Sequence, residues 1–408
     1  MNIIPYGKQH ITDEDIAAVV NVLNGDYLTQ GPIIKEFEEA FAEYVGAKYA
    51  VAVANGTAAL HLCAMAMNLE PGQKVITTPI TFAASANCIR YCGGEVVFAD
   101  IDPETYLLDI NEVRKLLQNA PKGTYSGIIP VDFAGRAVDL EAFRELADEH
   151  GLWIIEDSCH APGGFFTDSK GNKQLCGNGQ FANCAIFSFH PVKHIAAGEG
   201  GMITTNDKAV YERLLRLRTH GISRDEQRFT NSLEVAYGTN AYKSDSYPGW
   251  YMEMEELGYN YRLTDFQAAL GLSQTKRAQS NLQRRREIAA QYRQHFKDYP
   301  SIIDKNVESD QPETNGHAHH LYVIEVPERR AELYQHLREN GIYAQIHYIP
   351  THQMPYYREL GAKQGDFPIA ERYYSNCISL PMYPALSDEE VLHVISELGA
   401  GLNAHPQQ

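Results

Sequence analysis

From Lys48 onward the chain alternates short apolar runs with helical stretches, and this rhythm constrains the fold more than any other feature. Residues 48–53, 74–78, 95–101, 127–133 and 152–157 read as extended. Residues 57–68, 82–92, 111–119 and 140–150 read as helices between them. Short apolar strands separated by helices predict an α/β fold with a mostly parallel sheet covered on both faces. Ligands of such sheets bind beyond the carboxyl ends of the strands, so the strand ends are where chemistry is expected.

Ahead of this region a helix is expected from Thr12, with Asp15 as its capping-box partner. Ile16, Val19, Val20 and Leu23 form its expected inward stripe. A second helix follows Pro32, with Ile33, Phe37, Phe41 and Tyr44 inward and Gly46 as its stop. Downstream, Thr264 and Gln267 make a capping box that opens a long helical region, 265–296, with a weak break near Ser280 and Asn281. A smaller α+β unit follows, extended at 321–326 and 344–347 and helical at 329–339 and 388–398. The expected division is a large domain over 1–275 and a small C-terminal domain over 276–408. Arg284, Arg285 and Arg286 read as a solvated helix face.

Composition excludes several classes. At 408 residues the chain exceeds one simple core, and its net charge of −17 repels nucleic acid. No run of about 18 apolar residues suggests a membrane span. The opening MNIIPYGKQH lacks a signal-peptide pattern, so a cytoplasmic protein is expected. Seven cysteines without a CxxC pair suit free thiols in a reducing compartment.

Four runs at strand ends carry candidate chemistry. Asn55-Gly56-Thr57-Ala58-Ala59 is a turn opening a helix. It suits a phosphate or is simply a β–α turn. Glu156-Asp157-Ser158 ends an apolar strand. Asp157 is either a buried carboxylate needing a cationic partner or a helix cap. Lys193 lies between an apolar strand and the Gly-rich run Gly198-Glu199-Gly200-Gly201, as a desolvated nucleophile or an exposed loop lysine. Gly258-Tyr259-Asn260-Tyr261-Arg262 precedes the long helix.

In order and spacing these runs resemble the sugar aminotransferases of the pyridoxal 5'-phosphate (PLP) fold-type I class. The matching runs include NGTAAL, TPITFAASAN, DIDPETY, IEDSCHA, FSFHPVK, GEGGMITTND, GYNYRLTDFQAALG and HYIPTHQMPYY, and the resemblance extends from Pro5 to Pro384. Within that family PYGKQ, LTQGP, FSFHPVK and HYIP are most similar to enzymes that aminate C4 of a UDP-linked 4-keto-6-deoxy-N-acetylhexosamine for pseudaminic acid. The resemblance implies a central, mostly parallel sheet sandwiched by helices, a smaller C-terminal α+β domain, and PLP as cofactor. It implies that Lys193 forms the Schiff base and shuttles the proton. Asp157 would pair with the pyridine nitrogen, Phe82 stack on the ring, and His160 lie near the 3-oxygen. Thr57, Ala58 and Ser188 would hold the phosphate. Asn260 would reach it from the other subunit of a homodimer. Tyr6, Tyr27, Leu28, Thr29, Gln30, His347, Tyr348, Ile349 and Pro350 would line the sugar-nucleotide pocket. The implied partners are glutamate as amino donor and a UDP-keto sugar.

The sequence departs from that subgroup after Lys193, where His194-Ile195-Ala196-Ala197 replaces a Pro and a Thr-Thr pair. Loss of two hydroxyls there changes either ligand contacts or the packing of the turn. His194 is also similar to a histidine of the related PLP-dependent sugar dehydratases, but in those a histidine replaces the Schiff-base lysine, which Lys193 retains here. A dTDP- or GDP-linked sugar, aminated at C3 or C4, is the alternative substrate. A non-catalytic PLP-binding regulator is the rival of another class. His317, His319 and His320 invite a metal reading but lack a further partner, so no metal is expected.

Overall fold

The computed structural model describes residues 3–238, 244–297, 299–306 and 316–403. Its centre is a seven-stranded sheet of β1 (Tyr49–Val53), β2 (Lys74–Thr77), β3 (Glu95–Phe98), β4 (Tyr125–Ile129), β5 (Trp153–Asp157), β6 (Cys184–Ser188) and β7 (Gly201–Thr205). The strands lie in the order β1-β7-β6-β5-β4-β2-β3. Neighbours are parallel except at β7, which runs against both β1 and β6. The strand interiors are apolar and buried, with Ile76, Ile128, Ile154 and Ile186 at 0% exposure. That is the pattern of a sheet covered on both faces. The α/β architecture expected from the strand–helix rhythm is the observed one.

The rhythm did not disclose β7. Because β7 is antiparallel, its first residue, Gly201, lies beside Ser188 at the end of β6 and Val53 at the end of β1. The turn after β1, the loop after β6 and the Gly-rich run therefore meet at one edge. A Cβ on Gly201 would stand 2.5 Å from the Asn55 carbonyl oxygen, so only glycine permits this approach.

Helix Asp13–Leu23 begins with the expected capping box between Thr12 and Asp15. Its inward stripe is corrected, since Ile16, Val20 and Leu23 are about half exposed while Asp15 and Val22 are buried. The helix docks through Asp15, whose carboxylate accepts from Arg277 and, at 2.8 Å, from Gln274. An ion pair thus fixes the helix's rotation against its apolar periodicity.

The long helical region is two helices, Asp265–Lys276 and Ala278–Phe296, meeting at Arg277 rather than near Ser280. Beyond it, Ile303–Asp304, Tyr322–Glu325 and Cys377–Leu380 form a small antiparallel sheet, with helices Arg330–Glu339, Pro368–Asn376 and Asp388–Asn403. We propose the division between the two units at the Arg277 joint. The apolar cluster of Ile288, Tyr292, Ile324, Leu337 and Val394 supports it, and Ile4 joins that cluster from the opposite end of the chain. Residues 344–347 are not a strand. After Ile342–Tyr343 the chain bridges once, Gln345 to Ser379, and turns toward the main sheet.

The arginine run is also corrected. Arg285 is 1% exposed, and its guanidinium donates to the carbonyls of Met382, His319 and His320 at 2.9–3.3 Å. Buried carbonyls need donors, and a guanidinium supplies several at once. All seven cysteines are unpaired.

Candidate active site

At the carboxyl edge of the sheet a cavity of about 420 Å³ opens between the β1, β5 and β6 ends. Asp157, the last residue of β5, stands in its wall at 5% exposure. Its carboxylate accepts from Ser85 Oγ–H at 2.6 Å and from the Cys159 N–H at 3.2 Å. Among the described residues no lysine, arginine or histidine forms an ion pair with it. A buried carboxylate so placed is costly until a cation arrives, and the helix-cap reading of Asp157 falls away.

Lys193 faces the same cavity from the loop after β6. Its turn is closed by the Lys193 N–H donating to the His190 carbonyl and the Ala197 N–H to the Phe189 carbonyl, both at 2.8 Å. Burial lowers the pKa of the amine, with Cys159 and Asp157 pulling the other way. A desolvated amine is more often neutral and nucleophilic near pH 7.

Two histidines flank the pair. His160 Nδ1 accepts from the Ala134 N–H at 3.3 Å, so the proton belongs on Nε2, which lies 3.2 Å from the Tyr348 hydroxyl. Burial, then Lys193, hold His160 well below the usual imidazole range. The same causes lower His347 to about 3. Both rings are neutral at physiological pH and act as hydrogen-bonding groups rather than cations.

Behind β5, Ser158 Oγ lies 2.6 Å from Asp132 Oδ2 and 2.8 Å from Glu156 Oε1. One hydroxyl has one proton, so a carboxyl must supply the second bond. Burial raises Asp132 to about 6, and burial and then Asp132 hold Glu156 well above the usual carboxylate range. Glu156 therefore holds the proton, which it shares with Asp132 directly and through the Ser158 hydroxyl. Cys176 lies close enough that the three residues could gather a cation, but the shared proton accounts for the cluster. Glu156→Gln should cost under about 1 kcal/mol, since the amide replaces a neutral carboxyl. Glu156→Ala should cost about 3 kcal/mol through a cavity and orphaned donors. Because the folded-state values are raised, the stability from this pair is complete below about pH 4 and is lost as pH rises through about 6 and beyond. Urea midpoints of wild type and Glu156→Gln across pH 4–8 should diverge as pH rises. Parallel curves would contradict the shared proton.

The profile of the DegT/DnrJ/EryC1/StrS aminotransferase family matches residues 9–399. The chain belongs to this family. Its members are PLP-dependent, and the fold is that of the fold-type I aminotransferases. The chain is 39% identical over 399 residues to the spore coat polysaccharide biosynthesis protein SpsC of Bacillus subtilis, covering 96% of this chain and 95% of that protein. It is 33% identical over 393 residues to the UDP-4-amino-4,6-dideoxy-N-acetyl-beta-L-altrosamine transaminase of Campylobacter jejuni, covering 94% and 93%. Among solved structures it is similar to PseC of Helicobacter pylori, an aminotransferase involved in the biosynthesis of pseudoaminic acid. The TM-score is 0.84 at 30% identity, over 98% of this chain and 99% of that one.

As a sugar aminotransferase, the protein has residues that fit PLP. An uncompensated carboxylate suits the pyridinium, and a lowered lysine suits the aldehyde. The hydroxyls of Thr57 and Ser188 beside the start of helix Gly56–Ala66 suit a phosphate. The cavity brings together Tyr6, Thr57, Phe82, Asp157, His160, Ser188, Lys193, His347 and Tyr348. Phe82 projects into its mouth at 64% exposure. Other expected residues do not line it. The Ala58 N–H already donates to Asn55 Oδ1 at 2.8 Å. Asn260 is exposed, its backbone paired with Thr219. Tyr27, Leu28 and Ile349 are about half exposed, Thr29 bridges Thr264, and Gln30 and Pro350 stand outside the wall.

The departure after Lys193 proves to be a matter of packing. Ile195 and Ala197 lie in an apolar cluster with Phe37, Phe41 and Phe189. His194 is buried, with Nε2 2.8 Å from the Ala318 carbonyl. None of residues 194–197 lines the cavity. Sequence reading passed over Ser85 and Thr81, although both flank Phe82 in the run TFAAS at a helix start.

Proposed function

We propose that this aminotransferase moves the amino group of glutamate onto the C4 keto group of a UDP-linked 4-keto-6-deoxy-N-acetylhexosamine, a precursor of surface glycan sugars such as pseudaminic acid. The observation that carries the catalytic half is the lowered Lys193 amine facing a buried Asp157 that has no cation of its own. The names of the Campylobacter and Helicobacter relatives support the substrate.

Bound PLP supplies the electron sink that makes the substrate's C–H bond acidic. Lys193 Nζ holds the cofactor between turnovers, then takes the proton from one carbon and returns it at another. Asp157 holds the ring nitrogen and its proton. Phe82 would cover the ring, and His160 Nε2–H, now beside the Tyr348 hydroxyl, would donate toward the ring oxygen. Thr57 and Ser188 orient the phosphate, and the Ala58 N–H could join them only by leaving Asn55 Oδ1. Tyr6, His347 and Tyr348 exclude water from the cavity, while Tyr27, Leu28, Thr29, Gln30, Ile349 and Pro350 lie outside its wall and would meet the sugar nucleotide only where a second subunit extends the pocket.

Among the described residues lining the cavity, Lys193 is the sole lysine or arginine. A phosphate, a dicarboxylate and a nucleotide diphosphate need more positive charge and more donors than that. This shortage, with the exposed Ile16, Val20, Leu23, Tyr27 and Leu28, supports a homodimer in which the partner completes the site, with the exposed Asn260 as a candidate donor. Light scattering should give twice the chain mass. A fully active monomer would contradict the shared site. No helix among the described residues is long and apolar enough to cross a membrane, and we place the reaction in the cytoplasm.

The test is mass spectrometry of UDP-, dTDP- and GDP-linked 4-keto-6-deoxy sugars incubated with protein, PLP and ¹⁵N-glutamate. Conversion of the UDP-linked N-acetylated ketone to a ¹⁵N-amine is expected. Preference for a dTDP or GDP sugar would overturn the nucleotide. A deoxygenated product without nitrogen would overturn aminotransfer.

A further inference from the structure

Helix Ala84–Tyr91 contributes more than a wall to the cavity. Ser85, in its first turn, is completely buried, and its hydroxyl stands 2.6 Å from Asp157 Oδ2. Thr81 Oγ1 lies 2.8 Å from the same Ser85 oxygen. A carboxylate only accepts, so Ser85 Oγ–H points at Asp157 and the Thr81 hydroxyl proton points at Ser85. Thr81 is itself 1% exposed, and the Thr351 hydroxyl donates to its carbonyl at 3.3 Å. The chain of hydroxyls ends on the carboxylate, the Phe82 carbonyl being the more distant acceptor for Ser85 Oγ at 3.4 Å.

Asp157 Oδ1 accepts from the Cys159 N–H at 3.2 Å, and the Cys159 thiol also reaches the carboxylate. The Ser85 contact is shorter than that N–H contact. Without it the carboxylate plane could rotate about its Cβ–Cγ bond, and the oxygen left to meet a ring nitrogen would lose its fixed position. Phe82 leaves the same turn as Thr81 and Ser85, so one turn sets both the ring's face and its nitrogen partner.

We infer that Ser85, aligned by Thr81, is the positioning residue that fixes Asp157 toward the cofactor's ring nitrogen. The inference rests on Asp157 meeting that nitrogen. Ser85 touches no substrate, and it acts through the carboxylate.

A hydrogen bond to a charged group is worth about tenfold to a hundredfold in an equilibrium. The experiment measures the dissociation constant of pyridoxamine phosphate for wild type, Ser85→Ala, Ser85→Thr, Thr81→Val, Asp157→Asn and the Ser85→Ala/Asp157→Asn pair. Melting of each cofactor-free protein controls for folding. Ser85→Ala should weaken binding about tenfold. Ser85→Thr, which keeps the hydroxyl, should restore it to within about twofold, and Thr81→Val should fall between. In the Asp157→Asn background, Ser85→Ala should add less than about twofold, because its effect passes through the carboxylate. Equal losses from Ser85→Ala in both backgrounds, or no loss in either, would overturn the inference while leaving Asp157 in its role. Unchanged binding in Asp157→Asn would instead overturn the role of Asp157.

Discussion

Lys193→Ala should abolish turnover, by at least about 10⁴-fold, because one side chain both anchors the cofactor and moves the proton. Lys193→Arg should fail as completely. Its guanidinium keeps the charge and length but does not give up a proton near neutral pH. Neither loss should come from unfolding. The wild-type amine is held against its solvation, as its lowered pKa records, so removing it relieves a cost. The cofactor-free Lys193→Ala protein should melt at or above the wild-type temperature. Product formation by mass spectrometry, with melting of each cofactor-free variant, checks both halves. Turnover within about tenfold of wild type would remove Lys193 from the mechanism.

Asp157→Asn is the second large effect, and its two parts have opposite signs. The amide keeps the shape but removes a charge that is 5% exposed and, among the described residues, forms no ion pair. The cofactor-free protein should gain stability of about 1 kcal/mol or more, since an uncompensated buried charge is replaced by a neutral group. The loaded protein should lose activity by about 10²–10⁴-fold and retain its cofactor poorly. Calorimetry with and without PLP tests this directly. The two melting curves should lie further apart for wild type than for the variant. An equal cofactor-induced shift in both would contradict a pairing between Asp157 and the ring.

Much of this was legible in the residues. The parallel strands announced themselves because both faces are covered, so each reads as a short continuous apolar run such as WIIED. Asp157 was legible as a polar residue ending such a run, and Lys193 as a lysine between a strand and a Gly-rich turn. The antiparallel β7 was not, since strand direction leaves no trace in a five-residue run like GMITT. Helix Asp13–Leu23 misled because its apolar stripe faces outward, while buried Asp15, paired with Arg277, sets the rotation. Pairing across 262 positions is invisible to periodicity. Arg285 deceived for the same reason, its partners being backbone carbonyls that no residue type encodes. Ser85 was hidden by its smallness, and only the fold shows that its hydroxyl reaches Asp157.

The most direct test of the central claim is the visible spectrum of the PLP-loaded protein before and after glutamate. The protein should be yellow, bleach as glutamate gives up its amine, regain colour with 2-oxoglutarate, and have no yellow form in Lys193→Ala that borohydride can fix to the chain. A loaded protein whose spectrum ignores glutamate, or whose cofactor borohydride fixes to a lysine other than Lys193, would contradict it.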